Sequence, residues 1–135
     1  MRILLDTHWL YDFMEAPGRL PATARRLLAD RNTQLFSSAV SIWEMRLKFH
    51  ARHRDGASKS RFDPKDLPAA LEDLAIPVLA MTPAHAARPL ETPLPHRDPF
   101  DELLLVQAQE EGLRLLTRDR LLIDHPLAVS PGAAA

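Results

Sequence analysis

Residues 98–119 read DPFDELLLVQAQEEGLRLLTRD, and this stretch sets the fold class. Asp98 has the short acceptor side chain of a helix cap, Pro99 suits a first helical position, and Gly112 suits the left-handed residue that closes a helix. The mostly apolar stretch between them predicts a helix. Leu113 to Thr117 follows as a short apolar run, the signature of a buried strand, and Asp119 stands two residues beyond it.

Working outward, the same alternation recurs. Arg2 to Asp6 reads as a buried strand ending in an acid, and Thr7 as the cap of a short helix through Trp9, Leu10 and Phe13. Gly18 breaks that helix, and Pro21 opens a second one with Ala24, Leu27 and Leu28 on one face. Gln34 to Ser37 predicts a second strand. A helix from about Ala39 to His53 follows, with Val40, Trp43 and Leu47 at helical spacing and Asp55-Gly56 as its stop. Asp63 to Ala75 is helical despite Pro64 and Pro68, and Pro77 to Ala80 is a short third strand. Thr82-Pro83 starts a brief helix, Arg88 to Arg97 is a proline-rich loop, and Leu127 to Val129 is a last edge strand. Short continuous apolar strands separated by helices predict an α/β fold: a central, mostly parallel sheet of four to five strands with helices on both faces. Right-handed crossovers then place the strand-to-helix junctions on one edge of the sheet, where ligands bind in folds of this class.

Composition bounds the rest. The chain has 135 residues, 46% of them apolar, which suits one domain over residues 1–130 with a short disordered tail, 131–135. No cysteine is present, so disulfides and thiolate metal sites are excluded; this is compatible with the cytoplasm. The apolar run after Met1 is too short for a signal peptide, and nowhere do about 20 apolar residues run together to span a membrane. The net charge of −1 rules out a global basic footprint for nucleic acid, so any such footprint is local. One candidate exists: Arg46, Lys48, Arg52, Arg54, Lys59 and Arg61 face only Asp55 over residues 46–61. Arg46, Lys48 and Arg52 are the candidate grips on nucleic-acid phosphates, beside the plainer reading of a solvated helix face.

Four acids fall near the predicted carboxyl edge. Asp6 closes the first strand, Glu44 lies early in the helix after the second, Asp101 lies in the first turn of the Asp98 helix, and Asp119 follows the fourth strand. Clustered carboxylates repel, and a hard divalent cation with water and phosphate among its ligands resolves that repulsion. Each acid also has a structural reading. Asp98 with Asp101 and Ser41 with Glu44 both have capping-box spacing, and Asp119 suits a turn. Asp6 has the weakest such alternative, because an acid ending a buried strand needs a partner. His8 and His96 lie near the acids, with a surface or hydrogen-bonded role as the simpler reading. Trp9 and Trp43 read as core or interface residues.

The chain resembles PIN-domain nucleases, and among them the VapC-type toxins of toxin–antitoxin pairs, from Met1 to about Val129. The resemblance is carried by Leu4-Leu5-Asp6-Thr7-His8, by Ser37-Ser38-Ala39-Val40-Ser41-Ile42-Trp43-Glu44, by His96-Arg97-Asp98-Pro99-Phe100-Asp101 continuing to Gln107-Ala108, and by Leu115-Leu116-Thr117-Arg118-Asp119. It implies a PIN-like three-layer sandwich and a metal-dependent endoribonuclease using Mg²⁺ or Mn²⁺. Asp6, Glu44, Asp101 and Asp119 match the family's acidic quartet, and Asp98 an additional acid of this subgroup. Asp6, Asp101 and Asp119, with Asp98 beside them, are the expected metal ligands. Glu44 is a ligand or orients the attacking water, and Thr7, Ser41 and Thr117 support the carboxylates. The resemblance further implies an RNA substrate, a small antitoxin partner and a homodimer, to which exposed-looking apolar residues such as Trp9 and Phe49 add weak support. Two departures stand out: a longer basic stretch replaces the usual short Lys- and Gly-containing loop after Glu44, and Leu121-Leu122 stands where an aromatic is common.

Other functions fit less well. A phosphoryl-transfer enzyme with an aspartyl nucleophile normally wants an acid two residues after the first, where this chain has His8. A phospho-receiver module needs an acid pair before its acceptor Asp and a late lysine at a strand end, and neither is present. The remaining alternative is a catalytically silent PIN domain acting as an RNA- or protein-binding scaffold, against which the intact quartet argues.

Overall fold

A computed structural model describes residues 1–54 and 62–131, with only the backbone for residues 17 and 52–54. The strands are β1 (Arg2–Leu5), β2 (Gln34–Ser38), β3 (Val78–Leu79), β4 (Arg114–Leu116) and β5 (Ala128–Val129). The helices are α1 (Thr7–Glu15), α2 (Ala22–Ala29), α3 (Ala39–Arg54), α4 (Leu67–Asp73), α5 (Pro83–Ala87) and α6 (Pro99–Glu111). The strands form one sheet in the order β3-β2-β1-β4-β5, with every pairing parallel. β1 is therefore central. Leu4 lies beside Phe36 on one side and Leu115 on the other, and Ile3, Leu4 and Leu5 are fully buried.

Alternation along β1 divides the core. Ile3 and Leu5 face a cluster with Trp9 and Leu10 of α1, Leu27 of α2, Met45 of α3 and Leu67 and Leu71 of α4. Leu4 faces the opposite cluster, with Val40 of α3, Leu104, Leu105 and Ala108 of α6, and Leu115 and Leu122. Both faces are thus covered, which is why parallel strands this short read as uninterrupted apolar runs. The edge strands β3 and β5 have two residues each, leaving little exposed ladder for a foreign strand to join.

Local details depart from the sequence in three places. Thr7 is the first residue of α1 and Asp6 sits at its N-cap without a side-chain cap bond, because both side chains are engaged elsewhere. Asp63 caps a single 3₁₀ turn (Pro64–Asp66) before α4, so Pro68 falls harmlessly in the first turn of a new helix. Trp9 is buried, so it contributes to the core and offers nothing to a partner; Phe49 is half-buried. Of the expected tail, Pro131 is described and buried, and residues 132–135 lie outside the described residues, as does the predicted stop at Asp55-Gly56.

The ends of α6 match their reading. Asp98 accepts hydrogen bonds from Phe100 N (2.9 Å) and Asp101 N (3.2 Å), and Gly112 closes the helix at φ +67°. A Cβ at Gly112 would meet only the Arg2 guanidinium, at 3.7 Å, so the constraint there is backbone conformation. Gly112→Ala is expected to lower stability by about 1 kcal/mol, read as a lower midpoint at unchanged slope in urea unfolding.

Candidate active site at the carboxyl edge

The strand ends aim the site. Asp6 leaves β1 almost fully buried, and its Oδ2 accepts a 2.7 Å hydrogen bond from the Thr117 hydroxyl just past β4. The same Thr117 oxygen accepts from Asp119 N at 3.1 Å, so one buried threonine joins two acids that are far apart in sequence. Asp119 is half-buried, and its Oδ1 accepts from Leu121 N, which fixes the turn that carries it.

Glu44 stands in the second turn of α3 and is also buried. Its Oε1 accepts from the Thr7 hydroxyl at 2.7 Å, and Thr7 Oγ1 lies 3.0 Å from Ser41 Oγ. Thr7 has one proton to give. It goes to the carboxylate, and Ser41 supplies the return bond. Ser41 is thus a partner of Thr7 and not the cap that its spacing to Glu44 suggests. The other Glu44 oxygen pairs with Lys48 Nζ at 2.5 Å, one helical turn on. Lys48, expected to grip RNA, is thus turned toward the acids, although its side chain stays 54% exposed. Arg46 is exposed on α3, and the Arg52 side chain lies outside the described residues, as do those of Arg54, Lys59 and Arg61.

Asp101, in the first turn of α6, is buried and takes His96 Nε2 on its Oδ2 at 3.0 Å. The sequence puts His96 near the acids with a surface or hydrogen-bonded role, but which acid it meets cannot be read from spacing, because it comes from the irregular proline-rich loop. The Lys48–Glu44 pair was legible, since i,i+4 is the reach of a helical ion pair. Asp98 caps α6 through its Oδ1, in keeping with the structural reading of that residue.

The electrostatics show what the hydrogen bonds leave unresolved. Burial pushes the Asp101 carboxyl up to about 6, His96 opposes this, and Asp98, Asp6 and Asp119 each push it further up. Burial likewise raises Asp6, with Thr117, His8 and the Thr7 backbone opposing and Glu44 adding to the rise. The acids therefore share one field. They do not close into a ready ligand set: among the described residues no three His, Asp or Glu side chains are grouped tightly enough to hold a metal ion. Hydroxyls, Lys48 and His96 hold the carboxylates instead. The donors nevertheless fit a hard divalent cation. They are oxygens carrying negative charge that burial disfavours, and Mg²⁺ binds through one or two carboxylates while keeping several waters.

The sign for stability follows from Asp101. In the metal-free protein its raised carboxyl stays protonated while the unfolded chain ionises near 3.8, so stability is lost as pH rises from about 4 to about 6. Asp101→Asn is expected to be more stable than the parent at pH 7 in chelator by ~1–2 kcal/mol. The gap should vanish at pH 4, as checked by urea unfolding at both pH values.

Comparison with known proteins adds the family. The model of the PIN domain family matches residues 3–126. A search of curated proteins found no match. Among solved structures, a toxin–antitoxin complex from Klebsiella pneumoniae is similar at 21% identity and TM-score 0.64, covering 96% of this chain and 97% of that one. VapBC2 from Rickettsia felis, bound to a DNA fragment from its promoter, is similar at 12% identity and TM-score 0.59, with the same coverage. Identities this low speak for the fold alone. The family match spans nearly the whole sheet and every acid described above, and on that ground the chain belongs to the PIN domain family.

Proposed function

We propose that this chain is an endoribonuclease that hydrolyses RNA phosphodiesters with Mg²⁺ or Mn²⁺, and that it is the toxin of a type II toxin–antitoxin pair. The observation that carries the proposal is the field that Asp6, Asp98 and Asp119 exert on Asp101 at one sheet edge of a PIN-family chain. A bound divalent ion supplies an activated water and offsets charge on the phosphate and the leaving oxygen.

Asp6, Asp101 and Asp119 would hold the ion, with Asp98 nearby but committed through one oxygen to its cap. Thr117 keeps Asp6 and the Asp119 turn in register. Glu44, locked by Thr7 and Lys48, is suited to orient the attacking water. Lys48 and Arg46 would meet the RNA backbone, with Arg52 further along α3. The Klebsiella pneumoniae neighbour is described as a toxin–antitoxin complex, which supports a small antitoxin as partner. Exposed Trp43 and Leu47 on α3, with the Trp43 ring edge-on to Phe100 of α6, form an apolar patch suited to a second copy of the chain. No described helix is long and apolar enough to cross a membrane, and the RNA-cleaving role fits the cytoplasm as its compartment.

The purified protein is expected to cut single-stranded RNA with added Mg²⁺ or Mn²⁺. Asp6→Asn should lose at least about 100-fold in rate while keeping its far-UV circular dichroism. Full cleavage in excess chelator, or unchanged cleavage by Asp6→Asn, would refute the mechanism.

A further inference from the structure

A cleft of about 260 Å³ opens beside the acids, between α1, α3 and the 3₁₀ turn before α4. Two of its walls belong to the acid site: Thr7, which donates to Glu44, and Lys48, which pairs with it. The rest of the lining is largely aromatic and apolar, with Tyr11 and Phe49 half-buried and Met45 at the base of α3 buried in the core. Asp12 gives the cleft an acceptor of fixed position, because it is ion-paired with Arg118, whose guanidinium stacks 4.9 Å over the Trp9 ring.

We propose that this cleft is a nucleobase subsite: it takes the base of the nucleotide adjoining the phosphate held at the acids, and so sets where a single strand is cut. The proposal rests on the nuclease reading for the phosphate, but not for the base. Unstacked bases of single-stranded RNA are recognised by stacking on aromatic side chains and by hydrogen bonds to their edges. The lining supplies the aromatic side chains in Tyr11 and Phe49 and one edge acceptor in Asp12. Every RNA base presents an amino or imino donor, so a carboxylate at a fixed place selects by where on the ring edge that donor falls. Lys48 spans both compartments. One face of the cleft carries its stem, while its ammonium lies at Glu44, where the nucleotide's own phosphate enters. A base seated here is thus tied to the acid site by a single side chain.

The test is binding, so it does not depend on turnover. Fluorescent single-stranded tetraribonucleotides of differing sequence are titrated into the Asp6→Asn protein with Mg²⁺ and followed by anisotropy. The best and worst sequences are expected to differ at least about fivefold in Kd. Phe49→Leu and Tyr11→Leu, which keep bulk but remove the ring, should each weaken the best tetramer about tenfold, the lower range for one base–aromatic stack, and shrink the sequence ratio below about twofold. Unchanged melting of the leucine variants separates lost stacking from lost folding. If only one of them folds, that one decides. Equal Kd for all sequences, no binding of any, or leucine variants that bind as the parent does would overturn the proposal; the first of these is also what a cleft built for a partner protein's side chain would give. Sequence-dependent binding in a protein that cuts no RNA would sustain the subsite and overturn only the nuclease reading.

Discussion

Negative charge held out of water at the end of a central strand is the constraint on which the rest of the structure depends. Asp6 lies just past the end of β1, the most enclosed strand of the sheet, where a carboxylate has little solvent to neutralise it. The fold answers with neutral donors. Thr117 reaches Asp6 across the sheet, and Thr7, the very next residue, gives up a capping role to reach Glu44 on α3. These two hydroxyls join β1, α1, α3 and the end of β4 into one polar seam between the two apolar layers.

The seam costs stability. Asp101 is driven up by burial and by three other acids, which no packing consideration requires, and a purely structural protein would gain by losing that charge. Charge held at this cost, with His96 offsetting only part of it, supports the proposed chemistry. A second polar network sits deeper. Ser38 at the end of β2 donates to Gln107 in the middle of α6, and Gln107 donates in turn to the Ala80 carbonyl beyond β3. All of its side chains are buried, so α6, which carries Asp101, is positioned against β2 and β3 by hydrogen bonds as well as by leucines.

Much of this was legible in the residue order. Continuous apolar runs such as Ile3-Leu4-Leu5 and Leu115-Leu116 mark strands covered on both faces, and the Asp98-Pro99 start and Gly112 stop bound α6 within a residue. The acids at the strand ends followed from topology. What the residue order left open depends on tertiary geometry. Thr7 looks like a cap because caps are local, but its actual partner, Glu44, is 37 residues away. Trp9 could belong to either core or surface, and the choice depends on α3 and α4 packing over it. His96 reaches Asp101 from a loop with no periodicity to read. The five strands were expected to be mostly parallel and are entirely so, because every connection carries a helix or a long crossing loop.

The placement of β1 also bears on biosynthesis. Of these five strands, the first to leave the ribosome is the one at the middle of the sheet, and one of its two neighbours, β4, begins only at Arg114. A nascent chain therefore carries its central strand unpaired on one side while the residues up to β4 are made, and such long-range parallel pairing forms slowly. Asp6 has no Thr117 to hold it until the last turns of the sequence emerge. Assembly of the acidic edge thus coincides with completion of the domain, and a truncated product of this reading frame carries the acids without the framework that brings them together.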